Sequence, residues 1–231
     1  MTLLINGCSF AGEWNVSKEF QNKLGCTKTV NIGKEGTSFP RTLRSTVEWV
    51  AQNGNPKFAI IPITFAHRWE MAIAKKDDEL DGTWHPITEQ AQYHELDKID
   101  LNMVPEDKFK KLVPYYHGCV PNIRTYWDKI FTDIILLASF FEARDIKYLM
   151  CDMSNNFETK HLRGYKGFSK INLIKNNKNV IDLFSFCGNN FMYHKLPENE
   201  RENIDPYAWH HKEREYEHFE EYLINYLNLK L

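Results

Sequence analysis

The stretch from Lys57 to Thr64 constrains the fold more than any other part of the chain, because its centre, Phe58-Ala59-Ile60-Ile61-Pro62-Ile63, is apolar throughout. A strand with one face in water alternates apolar and polar residues. This one does not, so both of its faces must be covered, as happens in a parallel sheet held between helical layers. Pro62 has no N–H to give to a central ladder, which predicts a bulge or an early strand end at that position.

Shorter runs of the same kind alternate with segments of helical period. Strands are expected at Leu3 to Ile5, Thr27 to Ile32 and Asp145 to Cys151, and Val180 to Phe184 reads as a short strand or a strand-like loop. Trp14, Val16, Phe20 and Leu24 predict a short helix from Gly12 to Leu24, stopped by Gly25. Pro40 opens a long helix with Leu43, Val47, Trp49 and Val50 as its apolar stripe, and Asn53-Gly54-Asn55-Pro56 ends it. Ile123, Trp127, Ile130, Ile134, Leu137 and Phe141 mark a helix from Asn122 to Ala143, and Phe219, Tyr222, Leu223, Tyr226 and Leu227 mark a last one from Lys212 to Leu229. Asn155 to Asn179 is basic and polar with weak periodicity. The alternation predicts an α/β chain, a three-layer α/β/α sandwich with a mostly parallel central sheet, as a single domain over residues 1–231. Residues from about 75 to 120 fit no βα repeat and read as an inserted, partly helical excursion, either a lid over a site or surface decoration.

Composition narrows the classes of function. A formal net charge of −2 gives no electrostatic footprint for nucleic acid, although Lys160 to Lys178 is locally basic. The five cysteines (Cys8, Cys26, Cys119, Cys151, Cys187) are scattered and form no CxxC pair, which fits buried free thiols in a reducing cytoplasm and argues against a zinc site. His210, His211 and His218 lack a usual metal-ligand spacing, so no metal or other cofactor is expected. No basic leader precedes Leu3 to Ile5, and no apolar run reaches the length of a membrane span.

Chemistry is concentrated at the start of the chain. The run Leu3 to Ile5 stops at Asn6-Gly7 and delivers Ser9 to the carboxyl end of a strand, next to a helix start. Open α/β sheets place their ligands at that edge. Two roles are open to Ser9 on these grounds: a nucleophile, or the N-cap of the following helix.

The block Asn6-Gly7-Cys8-Ser9-Phe10 resembles the first motif of the SGNH/GDSL hydrolase superfamily, and the order of blocks is most similar to divergent members found in bacteriophage genomes. The other blocks are a glycine loop from Gly33 to Ser38, the apolar third strand, and Asp205-Pro206-Tyr207-Ala208-Trp209-His210-His211 before the last helix. The resemblance implies a flavodoxin-like sandwich and hydrolysis or transfer of an ester acyl group, without a cofactor, from a small-molecule or glycan carrier. It implies Ser9 as nucleophile, His210 as base with His211 in reserve, and Asp205 as the acid that orients the imidazole. Gly36, or Gly33 in its place, and the Ser9 N–H would form the oxyanion hole. Thr64 or Arg68 would stand in for a missing asparagine, since Ile63-Thr64-Phe65-Ala66-His67-Arg68 holds no Gly-x-Asn-Asp.

Two further departures bear on the chemistry. Cys8 occupies a position that is usually aspartate, and Asp205 lies five residues before His210 where the motif has three. Either Asp205 reaches round a proline-bent loop or His210 works as a dyad against a backbone carbonyl. Arg68 facing the site would suit an anionic substrate, whereas His67-Arg68-Trp69-Glu70 also reads as a surface helix start with an Arg–Glu pair. Trp84, Tyr93, Tyr115 and Tyr116 could stack on sugar rings or form a small core within the excursion. A non-catalytic binding or structural module on the same fold is the reading that competes with the hydrolase.

Overall fold

The computed structural model describes residues 1–34, 37–64, 69–73, 83–87, 123–152, 157, 167–182 and 213–230. In chain order the elements are β1 (Thr2–Ile5), α1 (Ser9–Glu13), α2 (Lys18–Lys23), β2 (Lys28–Asn31), α3 (Phe39–Asn53), β3 (Phe58–Ile63), β4 (Trp69–Ile73), β5 (Thr83–Ile87), α4 (Ile123–Ala143), β6 (Lys147–Asp152), α5 (Phe168–Asn176), β7 (Val180–Asp182) and α6 (Glu213–Lys230). Five strands form one parallel sheet in the order β2-β1-β3-β6-β7, and β4 pairs with β5 in a separate antiparallel ribbon.

Strand alternation sends side chains into two cores. Leu4, Ala59, Ile61, Ile63, Tyr148, Met150 and Val180 pack under α3, α4 and α5. Leu3, Ile5, Phe58, Ile60, Leu149, Cys151 and Ile181 pack under α1, α2 and α6 on the opposite face. The three-layer α/β/α sandwich expected from the sequence is therefore the observed one. Phe131 and Phe141 on one side and Phe20 and Phe219 on the other are fully enclosed. Each such ring contributes about 1.5–3 kcal/mol relative to an exposed one.

Pro62 causes neither a bulge nor an early end: it pairs in register with Cys151. The carbonyl of Ile60, two residues earlier, accepts from Asn6 N–H on the β1 side (3.3 Å), so the Pro62 nitrogen points the same way, to where β1 has already turned off. The expected helix from Gly12 to Leu24 is two helices, because Ser17 caps a new one by accepting from Phe20 N–H (3.1 Å). Gly25 stops it with φ +64°, as the sequence suggested.

Helix α3 buries Phe39, Thr42, Thr46 and Val50, a stripe turned toward threonines from the expected Leu43, Val47 and Trp49. Helix α5 falls in the segment whose periodicity was weak; among its described side chains Ile171 and Ile174 anchor it, and Leu173 is 63% exposed. Trp69 and Glu70 lie in strand β4, not at a helix start, and the described part of 75–120 is strand β5. Tyr93, Tyr115, Tyr116, Cys119 and Cys187 lie outside the described residues.

Candidate active site

The connection from β1 to β2 runs through α1 and α2 on one face, and the return from β2 to β3 runs through α3 on the other. The winding direction therefore reverses between β1 and β3. Ligands of open α/β sheets bind in the crevice outside the carboxyl ends of the strands at such a reversal. The residues standing there are Asn6 to Ser9 after β1 and Thr64 after β3.

Ser9 is the first residue of α1, and Cys8 occupies the N-cap with no side-chain cap bond. The N-cap position thus falls on Cys8, one residue before Ser9. The first bond of the helix runs from Gly12 N–H to the Cys8 carbonyl (2.9 Å), so the Ser9 N–H belongs to the opening turn, whose amides an α-helix leaves without an internal acceptor.

Gly7 makes the turn possible by its lack of a side chain. A Cβ there would lie 2.9 Å from Ala11 Cβ and 3.0 Å from the Pro62 carbonyl oxygen. Asn6, fully buried, fixes the turn from below: its Oδ1 accepts from Gly7 N–H (2.9 Å), and the two protons of its Nδ2 are shared among Ser45 Oγ (2.8 Å), Thr46 Oγ1 (2.8 Å) and the Thr42 carbonyl (3.0 Å). This bond set explains the threonine stripe of α3: the strand end presents an amide, and the helix turns its hydroxyls toward it. Arg41 Nη1 adds a bond to the Ile32 carbonyl (3.1 Å).

The loop after β2 is docked on the same turn. Lys34 N–H donates to the Gly7 carbonyl (3.0 Å), and Asn31 Nδ2 donates to the carbonyls of Ala11 and Trp14. Gly33 packs so closely on α1 that a Cβ would sit 2.8 Å from both Ala11 Cβ and Gly12 N. Its N–H is already given to Asn31 Oδ1 (2.9 Å).

The last helix reaches the serine-bearing helix from the other side. Tyr216 Oη donates to the Phe10 carbonyl (3.1 Å), one residue from Ser9, and its ring lies 5.2 Å from that of Phe10. Glu220, buried, accepts from Trp14 Nε1 (3.0 Å), Ser17 N–H (2.9 Å) and Ser17 Oγ. Phe219 fills the angle between Phe10 and Trp14 with edge contacts at 5.0 Å to each. The first turn of α6 is thus fixed against the first turn of α1.

Among the residues expected at the site, the structure brings Ser9 and Thr64 to one edge, with Thr64 only 1% exposed. His210, His211, Asp205, Gly36 and Arg68 lie outside the described residues. The sequence reading passed over three buried polar residues at this edge: Asn6, Thr37 and Asp152. Asp152 ends β6 in register with Ile63 and accepts from Phe157 N–H (3.2 Å), which holds the chain leaving that strand. Its signal was a carboxylate directly after an apolar strand. Neighbouring Cys151 is fully buried, and burial, reinforced by Asp152, keeps its thiol protonated. Among the described residues no group of three His, Cys, Asp or Glu could hold a metal ion, and no helix is long and apolar enough to cross a membrane.

No protein-family profile matches the sequence, and no curated protein matches it. Among solved structures the chain is similar to the psychrotrophic esterase EstA from Pseudoalteromonas sp., with 12% identity over 98% of each chain and a TM-score of 0.47. It is similar to Axe2, an acetylxylan esterase from Geobacillus stearothermophilus, with 13% identity over 97% of this chain and 93% of that one, TM-score 0.47. A third is a lipolytic protein assigned to the G-D-S-L family from Desulfitobacterium hafniense, with 12% identity over 97% of this chain and 98% of that one, TM-score 0.46.

Proposed function

We propose that this chain is an SGNH-type serine hydrolase that cleaves or transfers acyl esters through a seryl intermediate on Ser9. One observation carries the reading: Ser9 opens α1 at the sheet's reversal point, and Tyr216 of α6 is bonded to the residue beside it. His210 lies three residues before the start of α6. Three residues of chain span at most about 10 Å, and on this reading His210 turns back from the start of α6 toward Ser9.

In the reaction, His210 accepts the Ser9 Oγ proton as that oxygen attacks the acyl carbonyl carbon. The Ser9 and Gly36 N–H groups, with Thr64 and Arg68 beside them, hold the negative charge that develops on the carbonyl oxygen; one such donor is worth about 3–4 kcal/mol. Collapse breaks the bond from the acyl carbon to the leaving oxygen, which departs with the proton from His210. A water molecule, deprotonated by His210, then attacks the seryl ester and releases the acid. Asp205 orients the imidazole. The acyl carrier we favour is a carbohydrate or small molecule, by the resemblance of the motif. Buried reduced thiols at Cys26 and Cys151 support a cytoplasmic setting.

Hydrolysis of p-nitrophenyl acetate tests the assignment of the base. His210→Ala is expected to lower kcat by about 10⁶-fold while His211→Ala retains most of it. Equal activity in the His210 variant and the wild type would remove His210 from the mechanism.

A further inference from the structure

Asn6 stands between Ile5, the last ladder residue of β1, and the turn that delivers Ser9 to α1. Its own N–H still pairs with β3, donating to the Ile60 carbonyl (3.3 Å). The next amide, that of Gly7, lies past the ladder and donates to the Asn6 side chain, 2.9 Å from Oδ1. The Gly7 carbonyl accepts from Lys34 N–H (3.0 Å), so both polar groups of Gly7 are held. The other end of the Asn6 amide is fixed in turn. Its Nδ2 protons are shared among the Thr42 carbonyl, Ser45 Oγ and Thr46 Oγ1, all on α3, and Arg41 Nη1 lies 3.4 Å from Oδ1. A flipped amide would set its oxygen against the Thr42 carbonyl in a fully buried place, which costs more than the bond it would replace. The oxygen is therefore locked toward Gly7.

From this arrangement we infer that Asn6 is a positioning residue for Ser9: its Oδ1 fixes the Gly7 peptide, which sets the direction in which Cys8 and the Ser9 amide leave the strand. The inference rests on the hydrolase reading above and extends it to a residue that neither touches substrate nor exchanges a proton. The two polar atoms of the side chain have separate duties. Nδ2 joins β1 to α3 and serves stability, whereas Oδ1 orders the turn and serves the reaction. Loss of the acceptor frees the turn to move against the sheet edge while substrate binding is kept. That predicts a fall in kcat without a matching change in KM.

The test compares wild type, Asn6→Ala, Asn6→Leu, Asn6→Asp and Thr46→Val in p-nitrophenyl acetate hydrolysis, with Ser9→Ala as the blank and urea unfolding followed by circular dichroism. Asn6→Ala and Asn6→Leu lack the acceptor and are expected to lose about 10- to 100-fold in kcat with KM within about twofold; either one, folded, suffices. Asn6→Asp keeps the acceptor and is expected to retain most of the wild-type kcat at a lower urea midpoint, because a carboxylate oxygen then faces the Thr42 carbonyl. Thr46→Val removes a partner of Nδ2 alone and is expected to lower the midpoint with kcat unchanged. A folded Asn6→Ala or Asn6→Leu with wild-type kcat overturns the role of Asn6 and leaves the hydrolase reading intact. So does a loss confined to KM, an Asn6→Asp as slow as the variants without the acceptor, or a Thr46→Val that loses as much kcat as they do. If Asn6→Ala and Asn6→Leu both fail to fold, or Asn6→Asp does, Asn6 serves the fold alone and the role is likewise overturned. A folded wild type no faster than Ser9→Ala overturns the hydrolase reading, and the role of Asn6 falls with it.

Discussion

Gly7 has no room for a methyl group, and Gly12, one turn into the following helix, does. A Cβ on Gly7 would press on Ala11 Cβ and on the Pro62 carbonyl oxygen, a backbone atom that cannot step aside. The nearest atom to a Cβ on Gly12 is the Gly33 carbonyl oxygen at 3.4 Å. Gly7→Ala is expected to destabilise the chain by about 1–3 kcal/mol. Gly12→Ala is expected to be close to neutral, because the helix propensity gained, about 1 kcal/mol, offsets a tight contact. Urea midpoints at unchanged slope measure both; equal midpoints for the two variants would contradict the packing of Gly7 against β3. Gly7 was legible in the sequence as a bend after an apolar run. The reason it must be glycine was not legible, because its neighbours, Ala11 and Pro62, are brought together only by the sheet. The same holds for Asn6, which reads as a turn residue and serves as the tie between β1 and α3.

At the scale of elements, the strands and the long helices were the readable part and α5 was not. The apolar run of β3 can be satisfied only by two covered faces, so the sequence determines its place at the centre of the sheet. Helix α5 shows the opposite case: among its described side chains Ile171 and Ile174 enter the core, and Leu173 is exposed. A hydrogen-bond cluster ties the end of this helix to the rest. Tyr148 of β6 donates to Glu142 of α4 (2.7 Å) and accepts from Asn177 Nδ2 after α5 (2.8 Å). Burial, with Glu142 as the acceptor, raises the Tyr148 pKa from 10.0 to about 12. A group whose pKa is raised on folding contributes stability that is complete below its unfolded value and lost as the pH rises through its folded one. The stability advantage of wild type over Tyr148→Phe should therefore hold at neutral pH, where such a bond is worth about 1 kcal/mol. It should shrink between the unfolded value of 10.0 and about 12. Denaturant titrations of the two chains across that range measure the difference, and an advantage that stays constant would show that Tyr148 is not held neutral by this cluster.

The whole molecule explains why distant parts of the sequence meet at the serine. The reversal of strand order between β1 and β3 opens an edge that the β1 turn, the β2 loop and the end of β3 share. The last helix closes on it from the other face, through Tyr216 on Phe10 and Glu220 on Trp14 and Ser17. The position of Ser9 at a strand end was legible in its own neighbourhood, as a short apolar run followed by a bend. The docking of α6 was not, because it depends on contacts between residues more than 200 apart in sequence, such as the pair Phe10 and Tyr216. Local pattern gives the elements, and only the layer arrangement shows which of their ends converge.

The central claim is that Ser9 is an activated nucleophile, and reaction with a fluorophosphonate probe followed by peptide mass spectrometry tests it most directly. The account predicts a single covalent adduct on Ser9 in the wild type and none in a folded Ser9→Ala variant. A folded wild type that takes up no probe, or an adduct that persists in Ser9→Ala, would contradict it.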